Sequence, residues 1–290
     1  MNEIEIQANG LRFVARAAGE GPLVLLLHGF PESSWSWRHQ IGPLAEAGFH
    51  AVAPDMRGYG GSDRPRPVSA YDVDVLADDI AGMIDHFGQE RAIVVGHDWG
   101  GAVAWHFAHR HPDRLERLAV MNCPHPEVIL RTLSKSKAQR RKSWYMLFFQ
   151  IPWLPQTLLR MNLTGLVKAA FRGGAARPER FTDEDLAEFR RALAQPGALR
   201  AGINYYRAAR LGPKALRARR GIWREPLQGP VLLVWGVLDK YLGEELIEPH
   251  LERVVEGQLE IVRIPTAAHW VQQEEPELVN EALLAFVKPL

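Results

Sequence analysis

A chain of 290 residues, 47% of them hydrophobic, can bury one large core of the α/β type and still carry an insertion. Its 35 Lys and Arg balance 34 Asp and Glu to a formal charge of +1, which argues against the strongly basic face of a nucleic-acid binder, so no nucleic-acid partner is expected. The single cysteine, Cys123, excludes an intrachain disulfide and fits a reducing compartment.

The opening Met1-Asn2-Glu3-Ile4-Glu5-Ile6 alternates and is acidic, unlike the basic-then-apolar build of a signal peptide, and no apolar run reaches the length of a membrane span. A cytoplasmic protein, monomer or homodimer, is expected. Ile4 and Ile6 alternate with acids, Asn9-Gly10 supplies a two-residue turn and Leu11 to Ala17 alternates again, which predicts a hairpin. Leu23 to Leu27 is apolar without alternation, as a strand buried on both faces must be. It ends in His28-Gly29-Phe30-Pro31, and a helix is predicted from about Trp35 to Glu46. Phe49 to Ala53 is the next strand, followed by the loop Asp55-Met56-Arg57-Gly58-Tyr59-Gly60-Gly61-Ser62. Val73, Leu76, Ala77, Ile80, Met83, Ile84 and Phe87 then keep helical spacing. Arg91 to Val95 reads as a strand, Ala102 to Arg110 as a helix and Leu118 to Met121 as a strand again.

Strands alternating with helices imply a mostly parallel sheet with helices on both faces. The rhythm stops at Pro124. From His125 to about Gln228 no strand-like run occurs; helical segments carry aromatics at Trp144-Tyr145, Phe148-Phe149, Trp153 and Tyr205-Tyr206. This divides the chain into a core, 1–124 and 229–290, and an inserted helical cap, 125–228, placed to roof a pocket at the carboxyl ends of the strands. Within it, Thr182 before Asp183-Glu184-Asp185 and the apolar Leu186, Phe189 and Leu193 predicts a capped amphipathic helix. The α/β pattern resumes with a strand at Val231 to Trp235, a helix from about Glu244, a strand at Leu259 to Ile264 and a last helix from Pro276. Two basic runs, Arg131 to Lys142 and Lys214 to Arg224, read as solvated helix faces because neither has an obvious apolar face of its own. His106, His109 and His111 lack a second cluster with ligand spacing, so no metal is expected, nor any cofactor.

The chemistry concentrates at Gly96-His97-Asp98-Trp99-Gly100-Gly101, a sharp turn between strand and helix with Asp98 at its tip. Glycines at 96 and 100 allow the tight strand-to-helix turn of a nucleophile elbow, with Asp in place of the usual Ser. The helix dipole favours negative charge there, and a plain N-capping aspartate is the competing reading. Partners follow in the order an elbow hydrolase uses: Asp239 after the strand ending at Trp235, then His269 after the strand ending at Ile264. Asp239 would hold His269 in the tautomer whose other nitrogen takes a proton. A carboxylate nucleophile suits attack on a saturated carbon with a strained or good leaving group, giving an alkyl ester of Asp98 that His269-activated water hydrolyses. The resulting oxyanion needs two donors, expected from the backbone N–H groups of Phe30 and Trp99. Phe30, Trp99, Phe149, Trp153 and Trp270 are expected to wall the pocket.

Taken together, His28-Gly29-Phe30-Pro31-Glu32-Ser33, Asp55-Met56-Arg57-Gly58-Tyr59-Gly60, the elbow, Ser143-Trp144-Tyr145, Asn204-Tyr205-Tyr206-Arg207 and Ala268-His269-Trp270 resemble an α/β-hydrolase-fold epoxide hydrolase over nearly the whole chain. The resemblance implies that two cap tyrosines, here Tyr145 and Tyr206, point at the oxygen of an epoxide, with water as second substrate, and the aromatic cap suggests that this epoxide is apolar. It also contributes to the expectation of a cis bond between Phe30 and Pro31. Haloalkane dehalogenases share the Asp, and Trp99 matches one of their halide-cradling positions. Fluoroacetate dehalogenases carry an Arg directly after the nucleophile, where this chain has Trp99. A catalytically idle receptor built on the same fold is the alternative from another class.

Overall fold

Five consecutive buried residues, Leu23–Leu27, form the central strand β3, and their side chains divide between two cores. Leu23, Leu25 and Leu27 pack on one face and Val24 and Leu26 on the other, the period-two consequence of a strand covered on both sides. The computed structural model describes residues 1–209, 221–223, 225–247 and 251–288.

The other strands are β1 (Asn2–Ala8), β2 (Leu11–Ala18), β4 (His50–Pro54), β5 (Ala92–His97), β6 (Leu115–Met121), β7 (Val231–Gly236) and β8 (Leu259–Ile264). They form one eight-stranded sheet in the order β1-β2-β4-β3-β5-β6-β7-β8. The opening hairpin turns at Asn9-Gly10, both with positive φ, and is antiparallel; from β4 to β8 the pairing is parallel. Register places the functional loops beside one another. Leu27 pairs with Gly96, His97 with Met121, Met121 with Val234 and Gly236 with Ile264, so the loops after β3, β5, β6, β7 and β8 emerge side by side at one edge.

Helices α2 (Val73–His86) and α3 (Trp99–Arg110) cover one face, and α1 (Ile41–Glu46) covers the other. Between β6 and β7 lie α4 (Pro126–Lys135), α5 (Lys137–Lys142), α6 (Trp144–Phe148), α7 (Leu154–Met161), α8 (Leu163–Gly174), α9 (Asp183–Ala194) and α10 (Ala198–Ala208), and no strand of the sheet falls there among the described residues. The predicted cap of α9 is present. Thr182 accepts from the Asp185 N–H at 3.1 Å, while the Asp185 carboxylate accepts from the Thr182 N–H at 2.9 Å. Asp185 also takes the Trp35 indole N–H at 2.8 Å and pairs with Arg38 at 2.9 Å, which fastens the insertion to the core. After β8 come α11 (Val271–Glu274) and α12 (Pro276–Val287), which packs on the same face as α1.

Two helices differ from expectation. The stretch from Trp35 to Glu46 breaks into a short turn, Ser34–Trp37, and α1. Pro43 explains the break, since inside one continuous helix its ring would clash with the carbonyl of His39, whereas in the first turn of α1 it is tolerated. No continuous helix starts at Glu244; short turns at Glu244–Leu246 and Leu251–Arg253 stand there, with 248–250 outside the described residues. The basic run from Lys214 to Arg224 lies almost entirely outside them too.

Candidate active site

Asp98 joins β5 to α3 with φ 50° and ψ −118°, a conformation rarely adopted by a residue with a side chain, so the surroundings must hold it. Close approach is the reason for the flanking glycines. A Cβ on Gly96 would lie 2.4 Å from the Gly100 carbonyl oxygen, and one on Gly100 only 2.1 Å from the carbonyl oxygen of Leu27. The Asp98 side chain does not cap α3. Its Oδ1 accepts instead from the Phe30 N–H at 2.8 Å, one of the two donors expected for an oxyanion. Trp99, the other, is the first residue of α3, so its N–H has no acceptor within the helix. The Phe30–Pro31 bond is cis. Glu32 steadies that loop by accepting from the Gly29 N–H at 2.7 Å.

His269 and Asp239 meet across neighbouring loops, with Nδ1 of the imidazole 2.7 Å from Oδ2 of the carboxylate. The other nitrogen, Nε2, is 3.7 Å from Asp98 Oδ2, beyond a direct hydrogen bond and within reach through one water. Asp239 also accepts from the N–H groups of Tyr241 at 2.7 Å and Leu242 at 3.0 Å. Burial pushes its carboxyl up, but the charge of His269 and these bonds outweigh it and hold Asp239 below the usual carboxylate range. For His269, burial pushes down, yet Asp239 first and then Asp98 lift the imidazole to about 10. Both carboxylates thus favour the imidazolium.

Sequence reasoning missed two supporting groups. Asn122, at the end of β6 with φ 40°, donates from Nδ2 to Asp239 Oδ2 at 2.8 Å and accepts from the Gly236 N–H at 2.7 Å. Glu32 is fully buried behind the elbow and faces His97 Nδ1 at 2.7 Å, while His97 Nε2 reaches the carbonyl of His269 at 2.8 Å. Burial pushes Glu32 up, but His97 and the Ser36 hydroxyl bring it down to about 2. Gln272 and Gln273 complete its partners at 3.2 and 2.9 Å. The nucleophile's neighbour, the oxyanion loop and the histidine loop are therefore tied through one buried carboxylate. Glu32 and His97 stand in the motifs, whereas Asn122, Gln272 and Gln273 do not, and only the fold shows that these groups touch.

Asp98 lies in a cavity whose other walls are largely apolar, with Leu76 from α2, Ala102 from α3, Ile129, Leu130 and Leu133 from α4, and Trp223. Tyr145 from α6 and Tyr206 from α10 line it beside Trp99, their ring centroids 5.9 Å apart and Tyr206 4.9 Å from Trp99. Burial, then the charge of Asp98, pushes both phenols well above their usual range, so they keep their protons and can donate. The adjacent Tyr205 also lines the cavity, but its hydroxyl is committed, donating to the Arg57 carbonyl at 2.9 Å. His106, His109 and His111 go to separate partners: Asp74 at 2.6 Å, His125 at 2.9 Å and Asp78 at 2.9 Å.

Not every expected wall residue lines this cavity. Phe30 and Phe149 stand behind the tyrosines, each edge-on to Tyr206 at 5.7 and 4.8 Å, and support its ring. Trp270 is buried against Phe171 and His269, because its indole N–H finds an acceptor in the Ala170 carbonyl at 2.9 Å. Trp153 is 79% exposed on the outside of the insertion, where its positive φ of 58° turns the chain into α7.

Comparison with known proteins agrees with this geometry. The family described as the alpha/beta hydrolase fold matches residues 22–276. The AB hydrolase superfamily protein YfhM of Bacillus subtilis is 41% identical over 98% of this chain and 96% of its own length. Epoxide hydrolase A of Mycobacterium tuberculosis is 34% identical over 98% of this chain and 97% of its own. The crystal structure of Bacillus megaterium epoxide hydrolase with an inhibitor superposes with a TM-score of 0.89 at 33% identity, covering 98% of this chain and 99% of that one. The chain belongs to the α/β-hydrolase-fold family and, within it, groups with the epoxide hydrolases.

Proposed function

We propose that this protein opens an apolar epoxide to a vicinal diol through an alkyl ester on Asp98. The observation that carries the proposal is the pairing, in one apolar cavity, of a carboxylate held at an elbow with two phenols that keep their protons. An Asp98 oxygen attacks one epoxide carbon, the carbon–oxygen bond of the ring breaks, and Tyr145 or Tyr206 supplies the proton that the alkoxide takes. His269 Nε2 then removes a proton from water. The hydroxide adds to the ester carbonyl carbon, the Phe30 and Trp99 N–H groups receive the oxyanion, and its collapse breaks the bond from that carbon to the substrate oxygen. The departing alkoxide takes the proton of the new carboxyl, which frees the diol and restores the Asp98 carboxylate, and the proton held by His269 returns to the phenolate. This cycle calls for no cofactor. The helices of 125–228 act as a cap over the reacting groups.

Trp99 in the cavity wall supports a second reading, in which its indole N–H cradles a departing halide. A turnover panel of alkyl and aryl epoxides beside matched alkyl bromides separates the two. Epoxides are expected to be consumed with diol formation and bromides left intact. Bromide release without epoxide opening would overturn the proposal in favour of dehalogenation, and tight binding without turnover of either class would favour a receptor.

A further inference from the structure

Seven of the large hydrophobic side chains exposed among the described residues fall between 144 and 161: Trp144, Leu147, Ile151, Trp153, Leu154, Leu158 and Met161. Among the described residues only Met1, Val68, Leu238 and Leu278 are exposed elsewhere, so the apolar exposure described is concentrated on α6, α7 and the turn between them. The spacing makes faces of them. Leu154, Leu158 and Met161 follow one side of α7, and Trp144 and Leu147 one side of α6. Trp153 holds a positive φ that costs a bulky residue energy, while its indole stays outside the fold.

Charge in the same region has one sign. Residues 128–178 contain ten Lys and Arg and no Asp or Glu. Arg131, Arg172 and Arg177 pair with carboxylates outside that stretch. Lys135, Lys137, Arg140, Arg141, Arg160 and Lys168 are exposed and have no carboxylate partner among the described residues. The basic run that reads in sequence as a solvated helix face thus borders an apolar surface supplied by the two helices that follow it.

We propose that this outer face of the insertion docks on a lipid surface bearing anionic headgroups. The occupant must offer both hydrocarbon and negative charge. A second copy of the chain, packed through the same patch, would set cations against cations. A nucleic acid supplies the charge but no hydrocarbon to cover Leu and Ile side chains. An anionic bilayer supplies both, with the apolar side chains seated at the headgroup boundary and the cations among the headgroups. This proposal is independent of the reaction at Asp98.

Sedimentation of the full chain with phosphatidylcholine vesicles, with and without phosphatidylglycerol, tests it. Binding is expected with phosphatidylglycerol only, and it should weaken steeply with salt. Each cation near such a surface contributes about fivefold in affinity, so the double reversal Arg140→Glu with Arg141→Glu should lower binding by roughly 100-fold or more. Leu158→Ser with Met161→Ser should lower it by about tenfold or more by removing the apolar contact. Both pairs are exposed, and both variants should keep the wild-type melting temperature and turnover. Absence of vesicle binding overturns the proposal, as does binding that neither variant weakens. A dimer in light scattering that both variants dissociate, with no vesicle binding, would assign the face to a second copy and also overturn it.

Discussion

His269→Gln is expected to consume one equivalent of epoxide per active site and then stall. The first half-reaction needs only the Asp98 carboxylate and a proton donor, and glutamine leaves both in place. The second half-reaction needs a base 3.7 Å from Asp98, and glutamine cannot accept the proton from water. Ester breakdown should fall by roughly 10⁴-fold, the upper end for loss of a positioned base. Mass spectrometry should then find the substrate's mass added to the peptide that holds Asp98. Electrostatics in the wild-type site run the same way. Asp98 and Asp239 together hold the proton on His269 in the free enzyme, and converting Asp98 to an uncharged ester removes one of those charges when Nε2 must be free. Steady diol production by the variant at the wild-type rate would rule out His269 as the base.

The double change Tyr145→Phe with Tyr206→Phe should nearly abolish alkylation, with each single change slowing it. Opening an epoxide generates an alkoxide that stays on the substrate, and a positioned acid is worth roughly 10²–10⁴-fold. Both rings pack against Phe149 and each other, and Tyr206 also against Trp99, so Phe keeps the packing and removes only the hydroxyls. The fold should persist, with an unchanged melting temperature. Pre-steady-state alkylation by the double variant at the wild-type rate would show that the phenols are bystanders, and the epoxide reading would fall with them.

Much of this arrangement is legible in the residues because strand ends are legible. Asp98 and Asp239 each follow an apolar run buried on both faces, His269 follows the partly exposed edge strand β8, and parallel pairing carries these ends to one edge of the sheet. Asn122 also follows such a run, but an asparagine after a strand is an ordinary turn residue until Asp239 is found beside it. Glu32 and His97 are separated by 65 residues, and no periodicity links a loop carboxylate to a strand-end imidazole. For Tyr145 and Tyr206 the resemblance supplies the inward direction, but the other aromatics of the insertion rest on composition, which cannot separate inward from outward. Tyr206 and Tyr145 face the cavity, whereas Trp153 faces away, and local backbone geometry decides that. Likewise the Arg131–Lys142 run carries no apolar face of its own, and the surface beside it comes from separate helices.

The ester on Asp98 is the centre of the account, and the fate of water's oxygen reports on it directly. In a single turnover with enzyme in excess in oxygen-18 water, the account predicts an unlabelled diol and one oxygen-18 atom in the Asp98 carboxylate, because water attacks the ester carbon and the diol leaves with an oxygen from Asp98. A labelled diol beside an unlabelled Asp98 would mean that water opens the epoxide itself, which contradicts the covalent mechanism.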